Sequence, residues 1–455
     1  MDNICVMLNK FKSIISIDNI KMFEFAYNEN KEFRDIINVA VRERSKYLQT
    51  LLPNQHLSEI YINADFKQKI GMVCLPYYLA KEMVNSSYLD NRKARRKIEN
   101  GTICVINSLN GILPILLKEK YPNARIICLE YFSYHIQDLK DLGFETYQVI
   151  LKDNKLILLT ELVDMQIKPD LTFANPPYNA GLDLKFLDLT LNTIKSTEFI
   201  FVQPSTYLLD RKGGKSFNKI KEQLYNKLRS VKLFNGNPIF GIDLFVPCAI
   251  IHYDKNYTGD CEVDYFGDKY KSDIWNITKF GKEWETIVKP FMNKMKEVCK
   301  DGNNAWSRKI STEQRKEKDN KYYCQLAAII GNHSKDNTKM YNDDIYTLII
   351  GDGEKNKGIR NETVRKDGYI VYEFDTEKER DNLIEYCKTY FVRFCLSLYK
   401  NTQNIHYGEM LLIPYMDFTQ EWTDEKLFKH FSVDEETQEY IYEFLPDYYG
   451  IKKNV

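Results

Sequence analysis

The feature that most constrains this chain is an alternation of short apolar runs with amphipathic segments between residues 66 and 255. Apolar runs of this length fit strands buried on both faces, and amphipathic segments between them fit crossover helices. The pattern therefore predicts an α/β fold with a parallel sheet. Its predicted strands are Ile103–Ile106, Arg125–Leu129, Leu171–Ala174, Phe199–Val202 and Cys248–His252.

The segments on either side of this region have different patterns. Residues 1–65 carry apolar residues at helical spacing, which predicts an N-terminal helical cap. From about residue 256 onward, Gly, Asn and charge runs interrupt the pattern, which predicts a separate C-terminal region. We expect three parts: a cap over 1–65, an α/β domain over 66–255 and a C-terminal α+β region over 256–455.

Composition excludes several classes of protein. Lys+Arg and Asp+Glu each number 64, so any surface for a polyanion must be a local patch. The ten cysteines form no C-x-x-C pair and no cluster with histidine at metal spacing, so neither a metal site nor a disulfide framework is expected. Because no signal peptide or membrane span is evident, we expect a cytoplasmic protein without a membrane partner.

The strongest local signal is Asn175-Pro176-Pro177-Tyr178, which directly follows a predicted strand. Ligands of open α/β sheets bind at the carboxyl ends of strands, so chemistry is expected at this turn. The side-chain oxygen of Asn175 and the carbonyl of Pro176 are two acceptors, and consecutive prolines restrict the backbone around them. Two acceptors aimed at one amino group favour a nitrogen with an exposed lone pair. Tyr178 offers a flat face for an extruded base.

This motif and its setting resemble the adenine-specific DNA methyltransferases of the gamma arrangement, found among restriction-modification methylases. The resemblance implies a Rossmann-like methyltransferase sheet, S-adenosylmethionine (SAM) as cofactor, and methyl transfer to N6 of an adenine flipped out of double-stranded DNA. It assigns catalytic roles to the four residues from Asn175 to Tyr178. The C-terminal region is expected to recognise the target sequence, and a cognate restriction nuclease is a further candidate partner.

The same resemblance implies a set of cofactor-binding residues. Pro76 lies in residues 71–84, a segment similar to the family's N-terminal SAM-contacting segment, in which Leu75 replaces the usual threonine. Asn107 and Gly111 occupy the place of the glycine-rich loop after the first strand, with Asn where the family usually has Asp. Glu130 ends the second strand, where this fold binds ribose hydroxyls. Glu161 aligns with an acidic residue near the SAM adenine.

Phe240 is the last residue to which the resemblance gives a catalytic role. The sequence Ile239-Phe240-Gly241 resembles the family motif whose aromatic ring packs against the flipped base. Phe240 is therefore a candidate to hold the base opposite Tyr178, and an ordinary core phenylalanine is the alternative.

Residues 210–232 are rich in positive charge. They contain eight basic side chains against two acidic ones, Asp210 and Glu222. Such a stretch could contact DNA phosphates or could form a solvated helix face. Its basic residues are Arg211, Lys212, Lys215, Lys219, Lys221, Lys227, Arg229 and Lys232.

Two other functions compete with DNA methylation. A related motif serves enzymes that methylate RNA or glutamine amides in proteins, although the long region after Tyr178 favours DNA target recognition. The second is a non-catalytic DNA-binding subunit on a decayed methyltransferase fold. The altered loop at Asn107 favours that possibility, whereas the intact Asn175–Tyr178 turn opposes it. A fused nuclease is not favoured, because residues 1–65 show no convincing nuclease cluster.

Overall fold

A computed structural model gives the fold of the chain. Besides single positions between 10 and 36, it describes residues 75–85, 98–109, 111–131, 134–152, 155–158, 168–178, 181–240, 246–300, 322–328, 345–349, 370–400 and 407–445. The predicted N-terminal cap lies outside the described residues, apart from isolated positions such as the buried Phe33 and Ile36.

A ten-stranded sheet dominates the fold, in the order β10-β9-β7-β8-β6-β5-β1-β2-β3-β4. The pairs β1–β2, β1–β5, β2–β3 and β5–β6 are parallel, and β8 runs antiparallel to β6. The strands are β1 Thr102–Ile106, β2 Arg125–Glu130, β3 Glu145–Lys152, β4 Lys155–Leu158, β5 Leu171–Ala174, β6 Glu198–Pro204, β7 Leu228–Asn235, β8 Pro247–Asp254, β9 Cys261–Tyr265 and β10 Asp268–Ser272.

The order of the parallel strands identifies the class of sheet. Taken along the chain, the parallel strands are β1, β2, β3, β5 and β6, and their spatial order is third, second, first, fourth, fifth. This is the order of the first five strands of a Rossmann sheet, and it reverses direction between β1 and β5. The predicted α/β, Rossmann-like fold class is therefore confirmed.

Burial explains why the sequence predicted the central strands. All four residues of β5 are buried, as are the last four of β1 and the last five of β2. Strands covered on both faces must be apolar along their whole length, so they stand out as runs. β3 has only two buried residues among half-buried and exposed ones, so its sequence did not predict a strand.

One helix before residue 241 precedes β1, and the others lie between the strands along the chain. α2 begins directly after Gly111, whose left-handed φ of 76° ends the loop that follows β1. A π-helical segment, Leu189–Ile194, continues α4. These helices are α1 Tyr77–Val84, α2 Ile112–Lys120, α3 Tyr134–Asp141, α4 Leu182–Asp188, α5 Thr206–Leu209, α6 Lys215–Leu224 and α7 Gly236–Phe240.

The chain divides into two compact units. Unit 1 comprises Met1–Ser205, Gln223–Ile242 and Cys248–Asp264, and unit 2 comprises Thr206–Glu222, Asp243–Pro247 and Tyr265–Val455. The sequence boundary proposed at 255 thus falls inside unit 1, between β8 and β9, and the segment Thr206–Glu222 clusters with unit 2.

Unit 2 has a three-stranded antiparallel sheet and its own helical core. The sheet order is β12-β11-β13, where β11 is Tyr322–Ala328, β12 is Ile345–Ile349 and β13 is Ile370–Phe374. Side-chain caps fix the starts of its four described α-helices from residue 377 onward, including a capping box between Thr376 and Glu379. Its helices are α8 Val288–Val298, α9 Glu377–Lys388, α10 Tyr390–Ser397, α11 Asp424–His430 and α12 Glu435–Phe444, with 3₁₀ turns at Ile274–Asn276, Gly281–Trp284 and Tyr407–Glu409.

An aromatic core holds the helices of unit 2 together. Phe280, Phe394 and Phe444 contact one another, with ring centroids 5.0 to 5.9 Å apart. The side chain of Asn382 and the hydroxyl of Tyr386 donate to backbone carbonyls of the segment Ile413–Phe418. The C-terminal region therefore contains both helices and strands, as the α+β prediction requires.

Candidate functional site

The carboxyl ends of four neighbouring strands line up at one edge of the sheet. Ile106, the last residue of β1, pairs with Leu129 of β2 and with Ala174 of β5, which in turn pairs with Phe201 of β6. The first residues beyond these pairs therefore stand side by side. Parallel sheets bind ligands at this edge and at the point where the strand order reverses, here between β1 and β5.

Asn175 lies at that reversal point. Its backbone N–H donates to the carbonyl of Ile106 at 3.1 Å, which attaches the start of the turn to the end of β1. Its side chain is only 2% exposed, and Pro176 and Pro177 are buried as well. Because rigid prolines follow it, the Asn175 side chain is held in a fixed place at the sheet edge.

Tyr178 ends the turn and contacts Phe240. The two rings meet edge to face, with centroids 5.9 Å apart and an interplanar angle of 78°. The Tyr178 hydroxyl donates to Oδ1 of Asn175 at 3.5 Å, which is a long contact. Burial, and to a lesser extent the nearby Cys248 and Asp183, raises the pKa of Tyr178 further above its ordinary value, so the phenol stays neutral at physiological pH.

Phe240 is thus close to Tyr178, as the sequence suggested. It is half-buried at the end of α7 and also contacts Phe234 of β7, with centroids 6.2 Å apart. The edge-to-face arrangement of Tyr178 and Phe240 leaves the two rings unparallel, so a base stacked on one ring would meet the edge of the other. Their proximity places two aromatic side chains next to Asn175, and the role of Phe240 stays a prediction.

The loop after β1 has an unusual backbone. Asn107 and Leu109 have left-handed φ values of 50° and 52°, and Gly111 has a φ of 76°. A Cβ at Gly111 would lie 3.3 Å from the side chain of Leu142. Glycine fits this position because of the left-handed φ and because of this close approach. Left-handed non-glycine residues are costly and are found at functional sites more often than elsewhere.

Glu130 is joined to the same loop. Its Oε1 accepts hydrogen bonds from the backbone N–H of Ser108 at 2.7 Å and from the Ser108 hydroxyl at 2.6 Å. The carboxyl is fully buried, and within the described part of the chain its Oε2 has no hydrogen-bond partner. Burial raises the pKa of Glu130 to about 7, although the hydrogen bonds from Ser108 and Leu109 oppose the shift.

The remaining predicted cofactor residues are further apart. Pro76 is half-buried at the start of α1, where its carbonyl accepts from the N–H of Ala80 at 3.0 Å. The helix that follows packs against α2. Glu161 lies outside the described residues, so its predicted role is neither supported nor opposed.

Two residues near the site had not been singled out from the sequence. Ser108 holds the Glu130 carboxyl, and a hydroxyl residue two positions after a strand was the available signal. Asp183 lies in the first turn of α4 and is 7% exposed. Burial raises the pKa of Asp183 to about 6, against the effect of hydrogen bonds from backbone N–H groups. An ordinary acidic first turn of a helix gave no sign of this burial.

Most cations of the basic stretch have partners within the protein. Of its eight basic side chains, only Lys215 and Lys219 are both exposed and without a described contact, while the other six bind other parts of the protein. In unit 1, Nε of Arg229 donates to Asp254 at 2.8 Å, Lys227 donates to the carbonyl of Tyr257, and Lys232 pairs with Glu82.

The basic residues of unit 2 are engaged in a similar way. Arg211 donates to the carbonyl of Ile277 and stacks on Trp284 at 5.2 Å, and Lys212 pairs with Glu409. Lys221 is 1% exposed. Its pKa is lowered to about 7, mainly by burial and to a lesser extent by repulsion from Arg211. Six of the eight cations are thus held by internal partners, and phosphate binding by residues 210–232 stays a prediction.

Several other features concern the whole described structure. Among the described residues, no group of three His, Cys, Asp or Glu side chains could hold a metal ion. No helix in the described ranges is both long enough and apolar enough to cross a membrane. The cysteines whose side chains are described are free and buried, for example Cys104 and Cys128 in the central strands.

Comparison with known proteins gives only distant similarities. No protein-family model matches the sequence, and no curated protein matches it. Among solved structures, the type IIG restriction endonuclease BpuSI is 11% identical with a TM-score of 0.38, and the alignment covers 97% of this chain and 71% of that one.

Two further solved structures resemble parts of the chain. One, from Listeria monocytogenes, is assigned to the class I S-adenosylmethionine-dependent methyltransferases. It is 12% identical with a TM-score of 0.32, over 57% of this chain and 91% of that one. The other, from Vibrio vulnificus, is a modification subunit assigned to a type I restriction enzyme. It is 13% identical with a TM-score of 0.30, and the match spans 50% of this chain and about half, 52%, of that one. Similarities this weak carry no information on activity.

Proposed function

We propose that this protein is a SAM-dependent methyltransferase that methylates the exocyclic N6 amino group of adenine in DNA. The observation that carries the proposal is the Asn175–Tyr178 turn at the carboxyl end of β5, with Asn175 attached to the end of β1 and Tyr178 in contact with Phe240. Two acceptors and two aromatic rings at a strand-order reversal suit a flat substrate that carries an amino group.

Asn175 and Pro176 would act on the target nitrogen. The lone pair of an adenine amino group is delocalised into the ring, so the nitrogen is a poor nucleophile. Hydrogen bonds from its N–H groups to Oδ1 of Asn175 and the carbonyl of Pro176 favour a tetrahedral nitrogen, whose lone pair can attack. Pro177 restricts the backbone at that carbonyl, and the ring of Tyr178 stacks on the base.

The loop after β1 and the end of β2 suit the cofactor. When bound, SAM supplies an activated methyl group on its sulfonium. Glu130 presents a buried Oε2 that, among the described residues, lacks a hydrogen-bond partner, and a ribose hydroxyl could donate to it. Asn107, Leu109 and Gly111 of the neighbouring loop have left-handed φ values. These unsatisfied groups support a working cofactor site over a decayed one, because a buried polar atom without a partner is costly to keep.

DNA is the proposed substrate because a second compact unit follows the catalytic edge. Unit 2 contains its own hydrophobic core, which suits a part dedicated to target recognition. Methylation of RNA or of a protein amide uses the same electronic argument at Asn175 and is the main alternative. A cognate restriction nuclease stays a predicted partner.

The direct test is a set of three reactions, each with the full chain and methyl-labelled SAM. The first contains duplex DNA, the second RNA and the third protein. Label should enter only DNA, and mass spectrometry of the digested product should identify N6-methyladenine. Asn175→Ala should lower turnover by about 100-fold or more, as expected for loss of a group that stabilises the transition state. SAM affinity should stay within about twofold, because Asn175 contacts the target base.

The matched control is Asn256→Ala, which removes the same group from an exposed turn. It should methylate like the wild type. A DNA-methylating Asn175→Ala variant with a tenth or more of normal turnover would contradict the assignment of Asn175. Label that enters RNA or protein but not DNA would contradict DNA as the substrate.

A further inference from the structure

The two polar side-chain atoms of Asn107 differ in their hydrogen bonding. Its oxygen Oδ1 accepts a hydrogen bond from the backbone N–H of Tyr131 at 2.9 Å. Its nitrogen Nδ2 is buried and, within the described part of the chain, has no hydrogen-bond partner. The residue is 1% exposed, and its own backbone N–H donates to the carbonyl of Leu129. A buried amide donor without a partner is uncommon and requires an explanation.

The orientation of this amide is fixed by its partner. A backbone N–H can only donate, so the atom of Asn107 that faces Tyr131 must be the oxygen. The atom left for a ligand is therefore the nitrogen, which can only donate. A left-handed φ of 50° holds the residue in this position at the end of β1.

The neighbouring carboxyl makes a donor at this position favourable. Ser108, the next residue, binds Oε1 of Glu130 through its backbone N–H and its hydroxyl. The fully buried Glu130 is thus held beside the residue that follows Asn107. A second carboxylate at position 107 would add a like charge to a buried acid, whereas a neutral amide does not.

These observations decide which charged group at the amino-acid end of the cofactor can contact Asn107. That end carries an ammonium, which has only donors, and a carboxylate, which has only acceptors. We propose that Nδ2 of Asn107 donates to the carboxylate of the cofactor's amino-acid end and so selects ligands that carry it. This inference rests on the proposed SAM-dependent function. It makes Asn107 a specificity-determining residue.

The test is titration calorimetry on the full chain with three ligands. SAM carries both charged groups, decarboxylated SAM keeps only the ammonium, and 5′-methylthioadenosine lacks the amino-acid end. The wild type should bind SAM at least about tenfold more tightly than decarboxylated SAM, as expected for one hydrogen bond to a charged group. Asn107→Asp should weaken SAM binding by about tenfold or more and should bind decarboxylated SAM more tightly than SAM.

Asn107→Ala removes the donor without adding a charge. It should reduce the preference for SAM over decarboxylated SAM to less than about threefold, while 5′-methylthioadenosine binds as in the wild type. If the aspartate variant fails to fold, this ratio in the alanine variant decides the question. The exposed Asn256→Asp adds the same charge elsewhere and should leave all three affinities unchanged.

The outcomes separate this inference from the function on which it rests. A wild type that binds none of the three ligands overturns the proposed function together with the inference. A wild type that binds SAM and decarboxylated SAM equally well overturns the inference alone. Tighter SAM binding by Asn107→Asp would also overturn it, because that result requires the ammonium to face position 107.

Discussion

Glu130→Gln tests whether the carboxyl at the end of β2 is held at a cost in stability. Glu130 is fully buried, and burial raises its pKa from 4.5 to about 7. A glutamine keeps an acceptor for the Ser108 N–H and hydroxyl but cannot ionise. The variant should therefore remove a pH-dependent penalty and leave the local geometry in place.

The sign and the size of the effect follow from the two pKa values. Below about pH 4.5 the carboxyl is neutral in both the folded and the unfolded state, and its ionisation costs the fold nothing. As the pH rises to about 7, the unfolded chain loses the proton while the folded chain keeps it, so the free energy of unfolding falls. At one pKa unit per 1.4 kcal/mol, the loss approaches about 3 kcal/mol above pH 7.

The free energy of unfolding of Glu130→Gln, relative to that of the wild type, should thus rise by about 2 to 3 kcal/mol between pH 5 and pH 8.5. All four tryptophans belong to unit 2, so their fluorescence does not report on this site. Hydrogen exchange of peptides from β1 and β2, corrected for the intrinsic rate at each pH, measures the opening free energy locally. Glu439→Gln, on an exposed helix face, is the control. A difference between Glu130→Gln and wild type that did not change with pH would refute the reasoning.

Two further predictions concern the aromatic face and the basic stretch. Tyr178→Phe should keep most of the methylation activity, because the contact of the hydroxyl with Asn175 is long at 3.5 Å. Tyr178→Ala should lose about 10- to 100-fold in a methylation assay, as expected for loss of a stacked base, and equal losses in both variants would assign a role to the phenol. Arg229→Ala should destabilise unit 1 by about 3 kcal/mol in hydrogen exchange, because it leaves Asp254, 1% exposed, without its cation. It should leave the salt dependence of DNA binding unchanged, and a lower slope would restore Arg229 as a phosphate contact.

The sequence by itself determined the central elements and the position of the reactive turn. Strand β5 was predicted with the bounds that the structure has, and the predictions for β1 and β2 each differ from the structure by one residue. Fully buried strands and amphipathic helices carry their environment in the local pattern, so periodicity suffices to find them. The turn at Asn175 follows the same logic, because a strand's carboxyl end in such a sheet is a binding edge.

Only the tertiary structure decided which polar groups are free to act. Arg211 and Lys221 looked like phosphate contacts, yet residues far along the chain surround them. Asn107 looked like a weaker substitute for an acidic residue, but the N–H of Tyr131 occupies its oxygen and leaves a donor. Charge and hydrogen-bonding capacity are local properties of a side chain, whereas burial and partners depend on segments that meet only in the fold.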